Sequence, residues 1–201
     1  MNNYLVSNKN NQFFCYTTYR WVPPTFKHYK LFVVSSYDFK EQKLFICAYC
    51  LIPNEFEDTY EFIFKKLKEN FGFNPLLIIS DFSKSITNAL KLVFLNCIQI
   101  RCLFHFIKAL NNKINKLGLN TKDNIQKVNE ILFNLKLLEF ISPKNIKDIY
   151  LDIENNYYDE GKFGAFFRNF KKQWKPYVKN KKLKYTQVWN FYKVLTNYDF
   201  D

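Results

Sequence analysis

No acidic residue precedes Asp38, and none occurs between Gly161 and Tyr198. Histidine is nearly missing as well: His28 and His105 are the only two. The Cys102/His105 pair has a spacing found in zinc sites, but no second such pair exists to complete four ligands, which argues against a structural zinc. Long apolar runs are absent too. The longest, Leu44 to Ile52, spans nine residues, against the roughly 18 that suggest a membrane helix. Asn2 to Gln12 is polar, without the apolar core of a secretory signal. A soluble, intracellular chain with no membrane contact is expected. The five cysteines are odd in number and irregularly placed, which argues against a disulfide framework and fits a reducing compartment. Internal repeats and low-complexity linkers are also missing.

What remains is a chain of 201 residues, 48% hydrophobic and 20% aromatic, enough for one domain, with or without a large insertion. Gln12 to Arg20 reads as a first strand, followed by a turn at Pro23-Pro24. Leu31 to Ser36 reads as a second strand, Tyr37 to Lys43 as a polar connection, and Leu44 to Leu51 as a third. Within the third, Cys47 and Cys50 stand at an odd offset that sends the two thiols to opposite faces, so both read as packing residues. Asp58-Thr59 is expected to cap a helix whose apolar stripe is Tyr60, Ile63, Phe64 and Leu67, closing near Gly72.

The centre of the chain is Pro75 to Phe94. Leu76 to Ile79 is a short branched apolar run that reads as a buried strand, leaving Asp81 just past its end. Ile86, Ala89, Leu90, Val93 and Phe94 then recur at helical spacing, with Asp81 or Ser83 available to cap the first turn. Ile98 to Leu103 reads as a fifth strand ending in Cys102-Leu-Phe-His105, before a helix from His105 to Leu117. Ligands and metals in open α/β sheets collect where strands end, so Asp81, Cys102 and His105 are candidates for one crevice. The plainer alternatives stand beside this: Asp81 as an N-cap, His105 as a satisfied core histidine that bonds a carboxylate or the backbone. From Asn120 to about Tyr185 the pattern is helical (Ile125, Val128, Ile131, Leu132, Leu135, Leu138), broken at Pro143 and Pro176.

The net charge is +12, and the acid-free stretch after Gly161 concentrates it. Arg168, Lys171, Lys172, Lys175, Lys179, Lys181, Lys182 and Lys184 are candidate phosphate contacts, because a positive surface field attracts polyanions without reading sequence. Phe163, Phe166, Phe167, Phe170, Trp174, Tyr177 and Tyr185 lie among them, placed either to bury a face or to stack on bases. A solvated basic face of a helical insertion is the alternative.

Three strands, a helix, a strand, a helix and a fifth strand, followed by helices, is the order of an RNase H-like domain. The motifs resemble the Mutator-like element (MULE) transposase domain of the DDE superfamily. Thr18-Tyr-Arg-Trp-Val-Pro23 is similar to the end of that family's first motif, Tyr29-Lys-Leu-Phe-Val to its second strand, and Asp58-Thr-Tyr60 to its helix start. Asp81-Phe82, Ile86-Thr-Asn-Ala89 and Cys102-Leu-Phe-His105 resemble its central block, while Trp189-Asn-Phe-Tyr192 and Thr196-Asn197 resemble its closing motif. The fold implied is α/β: an RNase H-like mixed five-stranded sheet with flanking helices and a C-terminal all-helical insertion. Residues 1–118 would be the core, 119–186 the insertion, basic at its C-terminal end, and 187–201 a truncated return to the core. The family's additional modules have no counterpart, so a truncated gene product is expected.

The resemblance implies DNA cleavage and strand transfer on two Mg²⁺ or Mn²⁺ ions held by three carboxylates, since paired metals need clustered negative charge. Asp81 corresponds to the second acid, and Asp201 falls where the family has its closing Glu. Tyr16 stands at the first acid, and a phenol with a pKa of about 10 is a poor Mg²⁺ ligand at neutral pH. Cys102 and His105 would orient the region around the acids. The expected function is a transposase-derived, nuclear, DNA-binding domain that no longer cuts and needs no metal. An active two-metal nuclease or transposase, with Asp38 replacing the lost acid, is the first alternative. The second is a non-enzymatic protein-interaction module with a basic face; an oligomer is compatible with each.

Overall fold

Three strands come first: β1 (Gln12–Tyr19), β2 (Lys30–Asp38) and β3 (Lys43–Ile52). The structure is a computed structural model; it describes residues 12–19, 24–38, 42–174 and 191–192, and the side chains of 12–19, 26, 37 and 38 are not part of that description. It divides between Ile100 and Arg101 into two units. A 3-10 turn, Pro24–Phe26, lies between β1 and β2. Helix α1 (Glu57–Phe71), strand β4 (Leu77–Ser80), helix α2 (Lys84–Val93) and strand β5 (Ile98–Arg101) follow. The strand order is β3-β2-β1-β4-β5. β2 runs antiparallel to both β1 and β3, whereas β4 runs parallel to β1, with Phe13 opposite Ile78 and Phe14 opposite Ile79. The protein is therefore mixed α/β.

Alternation along β2 sends Phe32 and Val34 to the face on which α1 and α2 pack. There they join Tyr60, Phe64, Ile78, Ile86 and Leu90 in one buried cluster. The rings of Phe32 and Tyr60 meet edge-on at 5.1 Å and those of Phe64 and Phe94 at 5.9 Å. Each such side chain, taken fully out of water, stabilises the fold by about 1.5–3 kcal/mol. Gly72 ends α1 at φ 64, a left-handed conformation that glycine adopts without strain. Its N–H donates to Lys68 O at 3.1 Å, and Phe73 N donates to Leu67 O at 3.2 Å, so the left-handed turn satisfies two of the helix's last carbonyls.

Three expectations within this unit are corrected. Asp58 and Thr59 do not precede α1 but lie in its first turn; the N-cap is Phe56, without a side-chain cap bond. Asn54 organises the approach instead, its Oδ1 accepting from Phe56 N at 3.0 Å and from Thr59 Oγ1 at 2.6 Å. β5 stops at Arg101, and the next helix starts at Leu103 rather than His105. Finally, Cys47 and Cys50 do not face opposite ways. Val34 pairs with Ala48 and Ser35 with Ile46, leaving Cys47 as an extra residue in a β-bulge. The bulge resets the alternation, and both thiols pack against the same core. Burial raises the pKa of each.

The second unit is helical: α3 (Leu103–Lys116), α4 (Ile125–Leu137), α5 (Ile146–Tyr157) and α6 (Lys162–Trp174). Helix α3, assigned from sequence to the core, groups with these helices because Phe106, Leu110 and Ile114 form its buried stripe. Phe106 meets Trp174 at 4.6 Å and Phe170 at 6.3 Å, and Tyr150 stacks on Phe170 at 5.3 Å.

Candidate functional site

Asp81 occupies the residue after β4, where the parallel pairing with β1 ends. The parallel pairing runs to Phe14 opposite Ile79, and Tyr16 and Asp81 each lie two residues beyond it in sequence. The β1–β2 pairing becomes irregular directly after this point, between Tyr16 and Tyr19. Asp81 is half-buried. Its Oδ1 accepts from the backbone N–H of Ser83 at 2.8 Å, an Asx turn that aims the chain into α2. Ser83 is the N-cap of that helix, its Oγ accepting from Ile86 N at 3.4 Å, and Thr87 Oγ1 donates to Ser83 O at 2.7 Å. One oxygen of the candidate second acid is thus already engaged in starting a helix.

Cys102 and His105 belong to the second unit. Cys102 is the N-cap of α3 through its backbone alone, its carbonyl accepting from Phe106 N at 3.1 Å. The residue is buried. His105 lies in the first turn, its ring 5.7 Å from that of Phe104 and edge-on. Its Nδ1 is buried and, among the described residues, has no hydrogen-bond partner, so neither the expected carboxylate nor a backbone group meets it there. Among the described residues, no three His, Cys, Asp or Glu side chains gather into a group that could hold a metal ion. Asp201 lies outside the described residues.

In α6, Phe163, Phe166, Phe167, Phe170 and Trp174 are all buried. Their helical spacing turns them inward, so burying a face, not stacking on bases, is what they do. The helix starts from Asp159, whose Oδ1 accepts from Gly161 N at 2.9 Å and from Gly164 N at 3.2 Å. The cations on its outer side are not equivalent. Arg168 Nη1 donates to Tyr158 Oη at 2.9 Å. Lys171 Nζ stands 2.8 Å from Glu154 Oε1, an ion pair rather than a directed hydrogen bond, since that oxygen has no hydrogen-bond partner among the described residues. Lys172 is exposed. Lys175, Lys179, Lys181, Lys182 and Lys184 lie outside the described residues.

Two buried acids in this unit escaped the sequence. Glu154 lies on the buried side of α5. Glu139, just beyond α4, is fully buried, and among the described residues neither of its carboxyl oxygens has a hydrogen-bond partner; burial pushes its pKa up to about 9. Its carbonyl accepts from Phe191 N at 2.6 Å, which joins part of the Trp189-Asn-Phe-Tyr192 motif to the end of α4. The only sequence signal for Glu139 is its place between Leu138 and Phe140 in an apolar stretch.

Compared with protein families, the chain matches the MULE transposase domain over residues 5–109. No curated protein matches it.

Proposed function

The chain belongs to the MULE transposase domain family, and we propose that it is a transposase-derived domain that holds DNA by its phosphates and no longer cuts it. The observation that carries this reading is that no carboxylate occurs earlier than Asp38, where the resemblance implies a first-strand acid and sets Tyr16 in its place. In the reaction the family performs, paired metal ions clamp the attacking and leaving oxygens of the phosphodiester. The donor set that the resemblance implies does not fit them: a phenol, a poor ligand for Mg²⁺, falls at the first position, and Asp81 spends one oxygen on the Ser83 N–H.

On the same reading, the mixed sheet is RNase H-like, the site of action is the nucleus, and the partner is duplex DNA. The charge of +12 supports DNA as the partner. The Lys172, Lys175, Lys179, Lys181, Lys182 and Lys184 side chains supply phosphate contacts, which position a protein without reading bases. Arg168 and Lys171 contribute less, because each already has a partner within the fold. Fluorescence anisotropy with two unrelated duplexes in Mg²⁺ tests this. The expected result is similar affinity for both, a linear fall of log affinity with log salt, and recovery of the DNA intact. Affinity that is absent, or that does not respond to salt, overturns it.

A further inference from the structure

Between Asp81 and Asp123 the chain has no acid, a second acid-free stretch besides the one after Gly161. Helix α3 lies within it and carries Lys108, Lys113 and Lys116 against no carboxylate of its own. Its buried stripe is Phe106, Leu110 and Ile114. Phe104, Lys108, Asn111 and Asn115 are exposed at the spacing i, i+4, i+7 and i+11 and so share the opposite face, flanked by exposed Asn112 and Lys116. Phe106 meets Phe170 and Trp174 of α6, so this face points away from that helix.

Solvation explains only part of it. Cations in a last turn offset the helix dipole, which accounts for Lys113 and Lys116. It does not account for Lys108, in the second turn, or for three asparagines, which are poor helix formers. Nor does it account for Phe104, 59% exposed, with Lys108 Nζ 6.0 Å from its ring centroid. Among the described residues, no acid pairs with Lys108 or Lys116. Asn115 Oδ1 accepts from Asn120 Nδ2 at 3.2 Å, so its amide N–H groups are what it presents to a ligand. Every polar side chain of the face can donate and none is negative, which complements a row of phosphates.

We propose that the outer face of α3 is a second contact surface for duplex DNA, separate from the lysines of α6 and beyond; this rests on the reading of the chain as a DNA-holding domain. Lys108 and Lys116 stand about 12 Å apart along the helix axis. They take different phosphates of one strand, which recur about every 3.4 Å of duplex. Asn111, Asn112 and Asn115 donate to phosphate oxygens between them, and Phe104 packs on a deoxyribose.

Fluorescence anisotropy of the full chain with a duplex tests this, comparing Lys108→Gln/Lys116→Gln with Lys65→Gln/Lys66→Gln on α1, whose lysines pair with Glu61 and Glu69. Both variants lose the same charge, and matching circular dichroism and melting curves confirm that they fold. The expected result for the α3 variant is affinity lower by about tenfold or more and a salt slope smaller by about two. The α1 variant should stay within about twofold of the parent. A parent chain that binds no duplex overturns the DNA reading and this inference together. A parent that binds, with the α3 variant no weaker than the α1 variant, overturns this inference alone. So does a poly-glutamate peptide held through Lys108 and Lys116 while duplex affinity stays at the parent's level.

Discussion

At Gly164 the absence of a side chain is a geometric requirement. A Cβ there would lie 2.0 Å from the carbonyl oxygen of Asp159, a backbone atom that the Asp159 cap holds in place. Gly164→Ala should therefore cost about 1–3 kcal/mol, read as a lower urea midpoint; an unchanged midpoint would show that the start of α6 is looser than described. Glu139 makes a different prediction. Its folded pKa of about 9 stands above the ordinary glutamate value of 4.5, so the native state binds the proton more tightly than the unfolded chain. Its contribution is fully present below pH 4.5 and is lost progressively as pH rises towards 9. Glu139→Gln keeps the shape and removes the proton dependence. The variant should melt higher than the parent at pH 8 and nearly equal it at pH 5. A higher melting temperature confined to pH 5 would reverse the sign and refute the account.

Among the elements, α6 separates structure from binding. Phe167 is fully buried, and Phe167→Ala should cost about 3–5 kcal/mol of stability. Lys172→Glu on the outer side should leave stability within about 0.5 kcal/mol yet weaken DNA affinity and flatten its salt dependence. Equal affinity for DNA after charge reversal would make that face merely solvated. The order of strands and helices was readable because apolar period two and period 3.6 are distinct, from Phe32 and Val34 in β2 to Phe106, Leu110 and Ile114 in α3. The bulge at Cys47 was not, since one extra residue in a β-rich run leaves no compositional mark. Asp58-Thr59 looked like the better cap for α1, but the side chain of Asn54 reaches both Phe56 N and Thr59 Oγ1, which spacing could not reveal. Burial of Glu139 and Glu154 was hidden as well, because acids are read by default as solvent-facing.

For the whole molecule, family membership and the Asp81-Phe82 block were legible together, as was a capping role for Asp81 or Ser83; that Ser83 is the cap and that Asp81 accepts from its N–H depends on backbone geometry that spacing does not carry. A fold can keep its strand order after its chemistry is gone, because packing and catalysis depend on different side chains. The central claim, a transposase core without cutting, rests on what one carboxylate does to a two-metal site. The most direct test incubates the purified chain with supercoiled plasmid and Mn²⁺, beside Asp81→Ala. The account predicts plasmid that is bound but never nicked, in both. Nicking by the parent chain that disappears in Asp81→Ala would contradict it.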